Sequence, residues 1–257
     1  MARREPPPRP GSALVRRVEV GEIVDRLGAE DVGRAERSRL ILRLAAALAA
    51  GARAAGGRAV LTGLALADAV GELAPSVPVR DLATLREHHD GLSGDELAEA
   101  LVSTAARTTA GIGAAGGALA AAQLAAPPSL LAAPVQVAAE TVAVVLVELK
   151  LVAELHVVHG VTPPGSPAVQ AAAYVQSWVR KRGIDLGPAG PGLSAVVATA
   201  ARQRLRGRLV KRFGRNLSTL APFLAGAVAG AELNRRETRS LGDGLRQDLR
   251  RHLPGGR

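Results

Sequence analysis

Between Thr108 and Ala139 the chain carries 32 residues without a charge, and Pro127-Pro128 cuts the run near its middle. Proline removes a helical hydrogen bond and pushes the residue before it out of helical geometry, so the run reads as two helices joined by a tight turn. Its first arm holds Gly111, Gly113, Gly116 and Gly117. Each helical glycine costs about 1 kcal/mol relative to alanine, so four of them ask for a compensating close contact with another helix. The second arm begins at Pro134 and runs to His159, where Gly160 stops it. The polar side chains of that arm are scattered around its circumference, the pattern of a helix surrounded by a core or by lipid.

The rest of the sequence supports the same fold class. Apolar residues make up 47% of the chain and aromatic residues only 2%, so alanine, leucine and valine must fill the interior. That composition favours helices over strands. The expectation is an all-α helical bundle with a central Gly/Ala-rich apolar helical hairpin. Residues 1–14 read as a disordered Pro/Arg-rich arm, 15–92 as an N-terminal helical region and 93–253 as a second helical domain. Within the latter, Ser93 and Glu96 have capping-box spacing, and Ser166-Pro167 opens a further helix. A basic helix is expected over 193–213, a second charge-free tract over 216–231 with Gly226 and Gly230 four apart, and a charged helix over 234–253.

Charge narrows the partner classes. The formal net charge is +10, and no acid lies between Asp185 and Glu232, while that stretch carries Arg202, Arg204, Arg206, Arg208, Lys211, Arg212 and Arg215. Such a block suits anionic lipid headgroups, nucleic-acid phosphates or an acidic protein. Apart from Phe213 it lacks the interleaved aromatics of a single-strand stacking platform, and it sits just before a charge-free tract, which favours an anionic membrane surface over nucleic acid. The N-terminal Arg3-Arg4 has no apolar run behind it and does not read as a secretory signal, so the chain is expected on the cytoplasmic side of the inner membrane, peripheral or shallowly inserted. The absence of cysteine excludes disulfides, thiolate nucleophiles and cysteine-ligated metals.

Chemistry-bearing residues are few. Glu140, Glu148, Glu154 and His156 on the second arm are the candidates for acid–base catalysis, since burial raises a carboxyl pKa. Glu140 and Glu148 stand about 12 Å apart along one helix, too far to share a proton. Lys150 and Glu154, four apart, are placed to pair, and arginines from neighbouring helices are expected to meet the other carboxylates. His156 and His159, and His88-His89, lack a metal-binding signature, so no metal or cofactor is expected; a helix C-terminus favours imidazolium for the first pair. Gly111-Ile112-Gly113-Ala114-Ala115-Gly116 matches the dinucleotide fingerprint but follows helix-forming rather than strand-forming sequence. Neither Ser93 nor Ser194 fits a nucleophile elbow.

Two regions resemble the bacterial EcsC family: the Gly/Ala-rich tract with the acid-bearing helix ending in Glu154-Leu155-His156-Val157-Val158-His159-Gly160, and Leu220–Asn234 with its proline, spaced glycines, Asn234 and then Thr238. The similarity covers about 96–251, and His159 stands where the family usually has an aromatic residue. The resemblance implies a membrane-linked accessory role beside transport or secretion, with a membrane-protein partner, and it transfers no catalytic residue. The resulting expectation is a membrane-associated helical accessory protein. The alternatives are a soluble all-α, hydrolase-like enzyme using the carboxylates of the central helix and a basic nucleic-acid-binding module.

Overall fold

The computed structural model describes residues 10–27, 29, 32, 35–36, 39–44, 46–47, 70–124, 133–182 and 222–252. The principal helices are α1 (Pro10–Leu27), α2 (Leu82–Glu87), α3 (Gly94–Leu124), α4 (Ala133–Val158), α5 (Pro167–Lys181) and α6 (Pro222–His252). Among the described residues there is no strand, and the protein is an all-α bundle. Pro10, which cannot donate to a preceding turn, stands at the first residue of α1, so this helix starts ahead of Val15 and takes in residues that composition placed in the Pro/Arg-rich arm.

At the centre lies α4, which touches α1, α3, α5 and α6. Every residue from Thr141 to Leu155 is buried, the three charged ones included. A helix apolar nearly all round has found its apolar surroundings in protein rather than in lipid along this stretch. One hydrophobic cluster runs from Val20, Val24 and Leu27 of α1 through Leu97 and Val102 of α3 and Val142–Leu155 of α4 to Trp178 of α5 and Leu245 of α6. Aromatic area is scarce: among the described residues Trp178 is the largest fully buried side chain, and leucine and valine fill most of the remainder.

Local chemistry sets the boundaries. Asp81 accepts a hydrogen bond from the Thr84 amide at 2.8 Å and so caps α2; those amide bonds also hold its pKa below the usual carboxylate range. The end of α4 is closed by Gly160, which adopts φ +67 while Val161 N donates to His156 O at 3.0 Å. The Gly111–Gly116 run lies inside α3, far from a helix N-terminus, so it has no phosphate-binding geometry. The charge-free tract at 222–231 and the charged segment after it, expected as separate pieces, form the single helix α6.

Polar contacts fix the register. Along α3 and α6, Gly113 meets Gly230, Thr109 meets Asn234, Glu99 meets Arg246 and Asp95 meets Arg250, so the two helices run antiparallel. The eight residues 125–132 join α3 to α4, and Thr109 reaches Glu148 through Thr238, which makes α3 and α4 an antiparallel hairpin. Consequently the C-terminal part of α3, the N-terminal part of α4 and the N-terminal part of α6 lie at the same end of the bundle.

Candidate functional site

Two features stand out as candidate sites: the buried polar network around α4 and the charge-free end of the bundle. The network begins at Glu148, whose exposure is 0%. Trp178 Nε1 donates to its Oε2 at 2.8 Å, and Oε1 accepts from Thr238 Oγ1 at 2.9 Å and from Arg182 Nη2. Arg182 also lies over the Trp178 ring, 5.9 Å from its centroid. Thr238 uses its single proton on Glu148, so at its 2.9 Å contact with Thr109 it must accept. Asn234 Nδ2 donates to the Thr109 carbonyl at 2.9 Å. Asn234 and Thr238, two of the residues that carry the family resemblance, thus tie α6 to α3 and α4.

A second cluster surrounds Glu154, which is 3% exposed. Arg80 grips it with two bonds, Nε to Oε1 at 2.8 Å and Nη2 to Oε2 at 2.9 Å. Lys150 adds an ion pair at 2.9 Å with the i,i+4 spacing read from the sequence. Its other two protons go to Asp25 of α1 at 2.8 Å and to the Pro78 carbonyl at 2.7 Å. A buried ammonium needs such complete satisfaction, because an uncompensated one would cost several kcal/mol.

For acid–base work this arrangement is unpromising. Both oxygens of Glu148 and both of Glu154 are committed to cations and donors, and the two carboxylates serve separate clusters. Glu140 is half-buried two turns from Glu148 on the same helix. Among the described residues no three His, Asp or Glu side chains form a metal-binding group.

His156 departs from the expected imidazolium. Burial is the main cause that pushes its pKa below 6.5; the Nδ1 bond to the Val152 carbonyl at 2.7 Å opposes this, and nearby His159 and Arg180 reinforce it. The helix-terminus effect therefore loses to desolvation. A group with a lowered folded pKa stabilises the fold in full above its unfolded value, near 6.5, and the contribution is lost as pH falls through the folded value. Thermal stability is expected to drop as the pH is lowered below about 6.5, with a slope of up to about one proton, and His156→Gln to flatten that slope in melts recorded on the acid side of this value.

The glycines meet as a close helix crossing. A Cβ on Gly113 would lie 2.7 Å from the Gly230 carbonyl carbon, and one on Gly230 would lie 2.8 Å from the Gly113 carbonyl oxygen. The backbones of α3 and α6 touch here, the compensation that the cost of helical glycine demanded. Gly117 and Gly226 lie within the same two helices, but their contacts are outside what the structure describes, as are Arg202, Arg204, Arg206, Arg208, Lys211, Arg212 and Arg215.

Beyond this crossing lies the charge-free end. From Gly113 to Leu124 α3 extends about 17 Å, from Ala133 to the residue before Glu140 α4 extends about 10 Å, and from Pro222 to Gly230 α6 extends about 12 Å, none with a charged side chain. Val228 on α6 is 67% exposed, the most exposed large hydrophobic residue among those described. No described helix is long and apolar enough to cross a membrane. Trp178, Arg182, Thr109 and Arg80 were not singled out in the sequence. The one available signal was Trp178, the only tryptophan in the chain, with Arg182 one helical turn beyond it. Comparisons with protein-family models, curated proteins and solved structures gave no match.

Proposed function

We propose that the protein is a peripheral membrane-associated accessory protein, of the kind the EcsC resemblance implies, that dips the charge-free end of its bundle into an anionic lipid surface. The observation that carries this reading is the antiparallel register, which brings three charge-free helix segments from distant parts of the sequence to one end. Their lengths, about 10–17 Å, match a third to little more than half of a hydrocarbon core of about 30 Å, so they suit shallow insertion and not spanning. In the sequence the basic stretch Arg202–Arg215 ends seven residues before the start of α6, and its cationic side chains suit anionic headgroups. The buried and paired state of Glu148, Lys150 and Glu154 is also consistent with a self-sufficient protein body above the lipid. A link to transport or secretion, with a membrane protein as partner, belongs to the same proposal.

Co-sedimentation with anionic and neutral vesicles tests it. The full chain is expected to pellet with anionic vesicles, to be partly released by salt, and to leave a fraction that resists the salt wash. Val228→Asp removes an exposed apolar side chain and adds repulsion, and is expected to weaken binding about tenfold or more. A protein that ignores anionic vesicles at low salt, or a Val228→Asp variant that binds unchanged, defeats the proposal.

A further inference from the structure

The charges that border the charge-free end begin at one level. On α3 the last charged residue before that end is Arg107, six residues, about 9 Å, ahead of Gly113. On α4 the first is Glu140, eight residues before Glu148; on α6, Gly230 lies eight residues before Thr238, which bonds to Glu148. Both steps are about 12 Å, so Glu140 stands level with the Gly113–Gly230 crossing. Glu232, the first charged residue of α6, comes only about 3 Å beyond Gly230 along the axis. Three helices thus change from charge-free to charged within about 9 Å of a common plane.

On α6 the change falls on the exposed face. Val228 and Ala229 are exposed, and the same face continues at helical spacing through Glu232, Arg235 and Arg236 to Ser240. Arg235 holds the Glu232 carboxylate with two bonds, from Nε at 2.8 Å and from Nη2 at 2.9 Å, and Arg236 Nε donates to it as well. The bonds from Arg235 and Arg236 hold the pKa of Glu232 down to about 2, so this carboxylate does not shed its charge by taking up a proton at neutral pH. In water such a cluster is easily hydrated, but in hydrocarbon its three charges would lose that hydration. The face of α6 that carries Val228 therefore cannot lie flat in lipid along its length, and it enters only end first.

We propose that the Glu232–Arg235–Arg236 cluster is a depth stop, which lets α6 enter an acyl layer as far as Val228 and Ala229 and holds the next turns among the hydrated headgroups. This rests on the membrane reading and adds to it an end-on geometry and a limit of depth. Below the common plane the charge-free segments extend about 10–17 Å, close to the depth of one leaflet, half of a hydrocarbon core of about 30 Å. The stop needs no surplus of positive charge, because what resists immersion is the hydration of ions already paired with one another.

The chain has no cysteine, so a single cysteine at either of two exposed positions places an environment-sensitive fluorophore uniquely. Val228→Cys and Ser240→Cys set the label at two points about 18 Å apart along one face of α6. Each labelled full chain is mixed with anionic vesicles that carry nitroxide quenchers at a shallow or a deep position of the acyl chains. The label at position 228 is expected to shift to the blue and be quenched, and the label at position 240 to do neither. Glu232→Leu/Arg235→Leu/Arg236→Leu, with helix content checked by circular dichroism, is expected to sink the label at position 228 by about 5 Å or more, one helical turn. Quenching at both positions in the otherwise native chain means that α6 lies along the surface and overturns the stop, whether or not the leucine variant folds. An unchanged depth in a folded leucine variant overturns it too. A chain that pellets with neither label quenched leaves membrane attachment standing and removes the stop, whereas a chain that does not pellet defeats the membrane reading itself and the stop with it.

Discussion

Glu148→Leu is expected to destabilise the protein by about 3–4 kcal/mol, read as a lower midpoint in chemical denaturation with an unchanged slope. The substitution leaves Trp178 Nε1 and the Thr238 hydroxyl without their acceptor and strips Arg182 of its counter-charge. Both bonds are buried, and each orphaned donor costs about 1–3 kcal/mol. Arg182 contributes less than a sealed cation would, because its side chain is 16% exposed. Adding Arg182→Leu to Glu148→Leu should therefore restore part of the loss, and Glu148→Gln, which keeps an acceptor but not the charge, should fall between wild type and Glu148→Leu. If Glu148→Leu melts like wild type, the network is not a stabilising element.

The second large effect belongs to the helix crossing. Gly113→Val is expected to cost about 3 kcal/mol or more, because its Cβ would stand 2.7 Å from backbone carbon of Gly230 and neither helix can yield locally. Pushing α3 from α6 would also stretch the Asn234–Thr109 and Thr238–Thr109 bonds, both 2.9 Å. Gly244→Ala on the same α6 is the matched contrast. The added methyl finds only the Lys181 side chain at 3.7 Å, so the gain in helix propensity is expected to stabilise by up to about 1 kcal/mol. Equal and small effects at both positions would mean that the close approach at Gly113 carries no energy.

The hairpin was legible because its signals are strong and local: a charge-free run, a proline pair, and Gly160 at the far end. The Lys150–Glu154 pair was legible for the same reason, since helix spacing alone brings the two together. What pairs with them was not. Asp25 and Arg80 reach α4 from 125 and 74 residues away, and no local pattern points across such distances. Gly113 and Gly230 were both recognised as contact glycines, but that they contact one another is a property of tertiary register. The continuity of α6 was hidden by its composition, which switches from apolar to charged near Asn234 and suggests a boundary where the backbone has none. For His156 the helix-end argument pointed to a cation, and burial, which only packing reveals, decided the opposite.

The Thr109–Asn234 contact has a consequence in time. The two residues are 125 apart, and ribosomes add about 5–20 residues per second, so the face of α3 that receives α6 waits roughly 6–25 s for its partner during synthesis. Throughout that interval the Gly/Ala segment emerges with its hairpin mate but without the helix that seals Gly113. The nascent chain thus offers this apolar surface before α6 is made, and whatever it meets then, a chaperone, a bilayer or another copy, competes directly with α6.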